Sequence, residues 1–328
     1  MIAIVLIAIA AGCASALMFA SIISGALISL LLFYLAPLPL TVASLAWGPL
    51  CAAIGGIFAA VGLGVTFGFP YCIAFVVMVA LPAWWLGHLV LLGRPNGAAV
   101  TDSVPSGDSA VPAAPALEWY PVGRILLWIA GFAALTTMAT LLTLGSDAAT
   151  ITSVMQQGLL RIVGSNDTAS AGESEQWIDA LVKIAPAAAA IVAMLTLTLN
   201  LWLATKITAT SGRLRRPWPD LKSTALPPMT LAALSVAVAF CFAGGLPAML
   251  AQTIVAALTM AYALIGFAVL HTLTLALKNR SLWLSCAYAV VVVFSWPLLA
   301  MATLGLADAV FGLRQRYLQG RPPPLPAS

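Results

Sequence analysis

Residues 2–20 read IAIVLIAIAAGCASALMFA, and the chain then continues to residue 93 without a single Asp, Glu, Lys or Arg. Apolar runs of roughly 18 or more residues are long enough to cross the hydrocarbon core of a bilayer, which is about 30 Å thick. Lipid offers the backbone no hydrogen-bond partners, so each such run must fold as a helix that satisfies its own backbone groups. This stretch therefore predicts several consecutive transmembrane helices.

The rest of the chain has the same character. Hydrophobic residues make up 62% of the 328 positions, charged residues make up 7%, and the mean hydropathy is +1.06. Soluble domains are typically about a quarter charged, so this composition cannot cover a water-facing surface. We predict an all-α fold, a polytopic transmembrane helical bundle of about 8–10 spans, forming one integral membrane domain over residues 1–328.

The spans follow from the long apolar runs. We expect them at about 2–20, 25–46, 48–69, 70–92, 121–144, 177–204, 228–242, 249–277 and 281–304. Pro37 and Pro39 should kink or shorten the second span, because proline removes a backbone donor. Gly64 and Gly68 are spaced for close contact between helices.

Two polar intervals separate the runs. Residues 94–120 are rich in Pro, Ser, Ala and Gly and predict a linker without secondary structure. Residues 145–176 contain apolar side chains at helical spacing, among them Ile151 and Met155, followed by polar residues. This pattern predicts a short amphipathic helix on the membrane surface.

The charges predict the orientation of the chain. Residues 205–227 contain five basic residues and one acidic residue, whereas residues 145–179 contain five acidic residues and one basic residue. Basic loops stay on the cytoplasmic side, so 205–227 should be cytoplasmic and 145–176 periplasmic, in a bacterial inner membrane. Counting spans backwards makes the linker 94–120 and the amino terminus cytoplasmic as well. The net charge of +4 thus reflects orientation, not nucleic-acid binding.

The carboxy-terminal tail conflicts with a single ninth span. Lys278 and Arg280 fall on the cytoplasmic side, but one span after them would place Arg314 and Arg316 outside. Splitting the ninth run into two short helices at Pro297 would return the tail to the cytoplasm, and we expect that arrangement.

The sequence lacks the usual motifs of catalysis. It contains no GxxxxGK[ST] phosphate loop, no HExxH and no paired cysteine spacing, and its five cysteines lie singly in apolar runs. No nucleophile has a recognisable base beside it. We therefore expect no enzyme activity, no catalytic residues, no cofactor and no metal.

The most distinctive polar segment is SGRLRRPWPDL, residues 211–221. Its arginines can grip lipid phosphate or a partner's carboxylates through forked hydrogen bonds, while the indole suits the headgroup region. The candidate contact residues are Arg213, Arg215, Arg216, Trp218 and Asp220. Two alternatives remain open: a topology-setting loop that contacts anionic membrane lipids, or a docking site for a cytoplasmic partner.

A few polar residues lie within the apolar runs. The candidates for the bundle interior are Asn200, Gln252, Tyr262 and His271. Convergence of such side chains on a cavity would indicate a transporter, whereas a closed interior would indicate a scaffold. For Asn200 a hydrogen bond between helices and a contact with substrate are both possible. Asp308 is expected to pair with Arg314 or Arg316.

Several segments resemble a known family. LAPLPL at 35–40, WGPL at 47–50, LPAWWLG at 81–87, NLWLA at 200–204 with the 211–221 segment, and LGLADAVFGLRQR at 304–316 resemble the YybS-like bacterial membrane proteins. That family is distantly similar to the substrate-binding components of energy-coupling-factor vitamin transporters. The resemblance implies a helical bundle that binds a small molecule and depends on separate ATPase subunits.

Together these observations favour a transporter-like membrane component that binds or passes a small neutral or amphipathic solute and has no ATPase of its own. The alternative is a scaffold or regulatory protein of the membrane, without transport, that displays its cytoplasmic loop. An intramembrane enzyme is the weakest reading, because no catalytic pair is recognisable.

Overall fold

The computed structural model describes residues 2–95, 117–163, 171–219, 224–294 and 296–319. The chain is an all-α polytopic helical bundle, with a single two-stranded ribbon in the described part. Among these described residues, seven helical segments are long and apolar enough to cross a membrane, and a bent pair near the carboxy terminus makes up to eight.

Over the residues that the structure describes, the first half of the chain consists of seven α-helices, of which the first six are joined by short connections. They are α1 Ile2–Ala20, α2 Leu27–Leu35, α3 Pro37–Trp47, α4 Pro49–Phe67, α5 Phe69–Phe75, α6 Leu81–Leu91 and α7 Val122–Leu144. A turn of 3-10 helix, Ser21–Ser24, follows α1, and a π-helix, Val76–Ala80, joins α5 to α6. The predicted second span breaks at Ala36, where Pro37 starts the next helix.

The ends of the predicted linker pair with each other. Strands β1 Gly93–Pro95 and β2 Leu117–Trp119 form an antiparallel ribbon, which the sequence did not predict. The rest of the linker lies outside the described residues. Because β1 directly follows α6 and β2 precedes α7, the ribbon holds the start of α7 beside the end of α6.

The described part of the second half contains two long helices and five shorter ones. They are α8 Ala148–Val163, α9 Ala171–Thr210, α10 Met229–Phe240, α11 Gly245–Leu273, α12 Arg280–Phe294, α13 Pro297–Phe311 and α14 Leu313–Gln319. α8 occupies the segment for which an amphipathic helix was predicted. α9 is longer than the predicted sixth span and continues through Pro186. α10 has only 12 residues, about 18 Å of helix, which is short for a bilayer core.

The chain forms two compact units. Unit 1 comprises Met1–Ile125 and Leu199–Trp218, and unit 2 comprises Leu126–Thr198 and Pro219–Ser328. In unit 1, α1 and α4 run parallel, since the Cys51 thiol points to the Ile4 carbonyl and Gly55 lies against Ala8. A methyl group on Gly12 would overlap the Gly55 carbonyl, so glycine permits the close approach of these helices. The expected pair Gly64 and Gly68 is not used in this way, because Gly68 ends α4 at φ 96°.

In unit 2 the closest helix pair is α11 and α13. A methyl group on Gly266 would overlap the Met301 carbonyl, and one on Gly305 would overlap the Tyr262 carbonyl. Gly266 thus lies against Met301, and Tyr262, one turn earlier in α11, lies against Gly305, one turn later in α13. The two helices are therefore antiparallel. α13 therefore runs away from the end of α11 that is followed by Lys278 and Arg280.

This direction bears on the carboxy-terminal tail, whose expected return to the cytoplasm stays a prediction. The ninth run does break before Pro297, since α12 ends at Phe294 and α13 begins at Pro297. Residues of α12 as far apart as Arg280 and Tyr288 both contact His271 near the end of α11. α12 thus stays near that end, and α13 leads away from it. α13 therefore carries Arg314 away from the end of α11 that precedes Lys278.

Candidate functional site

The basic segment 211–219 folds onto the ends of other helices in unit 1. The carbon of the Arg213 guanidinium lies 4.7 Å from the ring centroid of Trp47, the last residue of α3. Arg216 Nη1 donates a hydrogen bond of 3.4 Å to the carbonyl of Val90, in the last turn of α6. The ends of α3, α6 and α9 therefore meet on one face, which we call the basic face.

A second cation on this face is held by indole rings. The Lys206 ammonium lies 4.2 Å from the ring centroid of Trp218 and 6.0 Å from that of Trp202. Cations within about 6 Å of an aromatic centroid are attracted by the negative face of the ring. Lys206 is in the last turns of α9 and Trp218 is in the following loop, so this contact folds the loop back along its own helix.

Backbone hydrogen bonds fix the turn after α9. The N–H groups of Arg213 and Leu214 donate to the Thr208 carbonyl at 3.0 and 3.1 Å, which satisfies an acceptor at the helix end. Gly212 has φ 67°, a conformation that glycine adopts without steric cost. The turn sets the direction in which the arginines leave α9.

The three arginines occupy different environments. Arg213 and Arg215 are exposed, whereas Arg216 is buried. Burial lowers the pKa of the Arg216 guanidinium from its usual value, because desolvation disfavours the charged form. Arginine starts so high that the group stays charged at neutral pH. Arg216 therefore attaches the loop to the end of α6, and Arg213 and Arg215 are the solvent-accessible positive charges.

The described part of unit 1 carries its charge at this one end. Glu118 is the only acidic residue there, and the basic residues are Arg94, Arg124, Lys206, Arg213, Arg215 and Arg216. The turns at the opposite end, residues 21–26 and Gly68, carry no charge. The two ion pairs that the structure gives for its described residues lie in unit 2.

The sequence pointed to the segment 211–221 but not to the residues that its side chains contact. Trp47 and Trp202 were visible as tryptophans at the ends of apolar runs, which is the usual position of interfacial anchors. Nothing in the sequence indicated that Arg213 would reach Trp47 or that Arg216 would reach Val90. Asp220, predicted as part of the same contact surface, lies outside the described residues.

A cavity of about 420 Å³ lies elsewhere in unit 1 and opens to the surface. It runs between α4 and the segment formed by the π-helix and α6. Small or aliphatic side chains and one indole line it: Ala52, Ala53, Gly56, Ile57, Ala60, Val61, Val76, Ala80, Leu81 and Trp84. The π-helix, which was not predicted, contributes Val76 and Ala80; such local widenings are frequent at functional sites.

The polar residues predicted for the interior do not line this cavity. Asn200 is buried and its amide donates a hydrogen bond of 2.8 Å to the Tyr34 carbonyl in unit 1. In unit 2 the Tyr262 hydroxyl lies 2.7 Å from that of Thr230, which joins α10 to α11. Gln252 is exposed.

His271 takes part in a separate polar cluster of unit 2. Its Nε2 lies 2.8 Å from the Tyr288 hydroxyl, and its carbonyl accepts a hydrogen bond from Arg280 at 3.3 Å. The Tyr288 ring also stacks on Phe267 at 5.1 Å between centroids. These contacts attach α12 to the end of α11. Within the described ranges, no group of three or more His, Cys, Asp or Glu side chains is placed to hold a metal ion.

Comparison with protein-family models gives a match over most of the chain. The family model described as a predicted membrane protein, DUF2232, matches residues 13–309. No curated protein matches the chain. No solved structure matches it either.

Proposed function

We propose that this chain, which belongs to the DUF2232 family of predicted membrane proteins, is a transporter-like component of the bacterial inner membrane. Its role is to bind a small amphipathic molecule in the unit 1 cavity, which we call the α4 cavity. The resemblance to YybS-like proteins and substrate-binding components supports the transporter-like part of this proposal. The α4 cavity supports the binding part and is the observation that carries it.

The size and lining of the α4 cavity define the ligand class. A volume of about 420 Å³ falls in the range of small-molecule pockets. The lining offers aliphatic groups and the Trp84 indole, with no charged side chain. A ligand therefore places an apolar body against Gly56 and Ala60, and any polar end extends past the open side.

Selection in such a cavity depends on shape. A ligand arriving from the bilayer leaves lipid tails that are as apolar as the cavity wall, so the hydrophobic effect contributes little. Close packing against the flat wall formed by Gly56 and the neighbouring alanines then decides affinity. A compact or ring-containing molecule packs better on such a wall than a flexible acyl chain, which loses more conformational freedom.

Energy for transport, in this proposal, comes from partner subunits. The sequence contains no phosphate-binding loop for ATP hydrolysis. Separate ATPase subunits are the partners implied by the resemblance. Their binding would move ligand in or out of the α4 cavity, while this chain supplies the specificity.

The test fills the α4 cavity without changing its charge. In Ala53→Phe the new ring occupies the cavity, and in the matched control Val65→Phe a ring is added to the same helix at a side chain 83% exposed. Full-length parent and variants are purified in nanodiscs, and bound non-lipid molecules are extracted and identified by mass spectrometry. We expect a molecule bound to parent and control and absent from Ala53→Phe. The proposal is wrong if the parent carries none, or if all three retain it equally.

A membrane scaffold is the second candidate. It is favoured by the local pairing of Asn200 with Tyr34 and of Tyr262 with Thr230, which leaves these side chains inside packed units. In that case no small molecule is recovered, and proteins that co-purify with the parent also co-purify with Ala53→Phe.

A further inference from the structure

We propose that the basic face of unit 1 binds the phosphate of an anionic phospholipid headgroup through Arg213, Lys206 and Arg215. This site is independent of the α4 cavity and of the proposed function. It lies where α3, α6 and α9 end; Arg213 contacts the Trp47 ring there, and Lys206 contacts the rings of Trp202 and Trp218.

Arg213 is preorganised for a phosphate. The carbon of its guanidinium lies over the Trp47 ring, 4.7 Å from the ring centroid, a contact that restrains the side chain. A guanidinium has five N–H donors in a planar fork, which suits two parallel hydrogen bonds to phosphate oxygens. The Arg213 side chain is exposed and forms no ion pair with a carboxylate of the described residues.

Lys206 adds a second fixed charge. The Trp218 ring at 4.2 Å restrains the ammonium near the loop, where a free lysine would sample many rotamers. Lys206 lies in the last turns of α9, which ends at Thr210, and Arg213 lies in the turn that follows. Arg215 is exposed on the loop after α9 and supplies a third positive charge.

The tryptophans place these charges at headgroup depth. Trp47 ends the span Leu27–Trp47, and Trp202 lies about two turns before the end of the span Gln176–Thr210. Trp202 and Trp218 are half-exposed on the surface of a membrane protein. Tryptophan in such positions settles at the level of the headgroups, which carries the nearby cations to the level of lipid phosphates. An acidic protein partner would instead need charges projecting into water beyond the indoles.

The experiment measures lipid preference. Full-length protein in a neutral detergent is titrated with phosphatidylglycerol or phosphatidylcholine, and bound lipids are counted by native mass spectrometry. The test variant is Arg213→Gln with Arg215→Gln, the matched control is Arg161→Gln on the exposed surface of α8, and Arg213→Lys keeps the charge while removing the fork. Arg216 is left unchanged because it is buried against Val90.

We expect the parent and the control to prefer phosphatidylglycerol. Each basic residue near an anionic surface contributes roughly a fivefold gain in binding, so the double variant should bind phosphatidylglycerol roughly 10- to 30-fold more weakly. Arg213→Lys should fall between the parent and the double variant. A Trp47→Leu variant, which removes the stacking ring and no charge, should also weaken binding. Size-exclusion profiles and thermal unfolding confirm that each variant is folded.

Any of four results would overturn the proposal. The parent could bind both lipids equally, or the double variant could keep the preference of the parent. In a third arm, inorganic phosphate at millimolar concentration could displace phosphatidylglycerol fully, which would assign the site to free phosphate. Loss of a co-purifying acidic protein from the double variant, with lipid preference intact, would assign the face to a protein partner.

Discussion

Asp308 and Arg314 form an ion pair in which both side chains are only 7% exposed. Arg314 Nη2 and Nε lie 2.7 and 2.8 Å from Asp308 Oδ2, and the Arg314 backbone N–H donates to Oδ1 at 2.8 Å. The pair spans Gly312, where the chain bends by 66° between α13 and α14. The expectation that Asp308 would pair with one of two arginines is confirmed for Arg314.

Replacing one residue of this ion pair should lower the unfolding free energy more than replacing both. Asp308→Asn leaves the buried Arg314 charge without its counter-ion, which typically costs about 3–5 kcal/mol of unfolding free energy. Replacing both residues, with Asp308→Leu and Arg314→Met, removes the unpaired charge, so we expect a smaller loss than for Asp308→Asn alone. Unfolding in mixed micelles of increasing SDS fraction measures both. An Asp308→Asn variant as stable as the parent would contradict the prediction.

The same ion pair weakens Arg314 as a signal for the orientation of the tail in the membrane. Arg314 is neutralised by Asp308 and so counts little as a topological signal, although the sequence suggested that it must be cytoplasmic. Because α13 runs antiparallel to α11, we expect position 315 not to be accessible from the face that exposes position 281. Single cysteines replacing Ser281 and Gln315 are treated with an impermeant thiol reagent on cells and on inverted vesicles. Labelling of both from one face would refute this orientation.

Hydropathy predicted that the chain is a helical membrane bundle, because the length and apolarity of a run do not depend on its neighbours. The basic face depends on contacts that are distant in sequence: Arg216 meets Val90 across 126 positions. Three neighbouring arginines therefore looked equivalent in the sequence, although one is buried and two are exposed. α10 is three residues shorter than the predicted span 228–242, because Pro228 lies before the helix and Cys241 and Phe242 lie after it.

Glycine at the α11–α13 crossing should tolerate no side chain. In Gly266→Ala the new methyl group overlaps the Met301 carbonyl, so the helices must separate, at a cost of about 1–3 kcal/mol. Gly131→Ala is the matched control in α7, because a methyl group there meets nothing within 4 Å. The control should be stabilised by about 0.5–1 kcal/mol, since alanine favours helix. Equal stability of the two variants would show that the crossing is not tightly packed.

The start of α8 should depend on pH through Asp147. Its carboxylate accepts hydrogen bonds from the Thr150 N–H at 2.9 Å and the Thr150 hydroxyl at 2.6 Å. These bonds lower the pKa of Asp147, so its stabilising effect is present above the unfolded-state pKa of about 4 and is lost as pH falls through the folded-state value. Hydrogen exchange of amides 148–152 should accelerate in Asp147→Ala at pH 7. The corresponding Thr143→Ala change, before the helix, should leave that exchange unchanged.

Arg216 should hold the 211–219 loop in place, whereas Arg213 should not. The buried guanidinium of Arg216 donates a hydrogen bond to the Val90 carbonyl, and a glutamine at position 216 is too short to make that contact. A buried hydrogen bond to a charged group contributes about 1.5–3 kcal/mol, so Arg216→Gln should raise the open population of the loop roughly 10- to 100-fold. Limited trypsin cleavage after Arg213 and Arg215 reports that opening, with Arg161→Gln as a control that leaves the loop intact. Arg216→Lys keeps the charge and reaches further than glutamine, so its cleavage rate should fall between those of the parent and Arg216→Gln. If Arg216→Gln is cleaved at the parental rate, the loop is held by the indole contacts of Lys206 and Arg213 instead, and those contacts would set the geometry of the basic face.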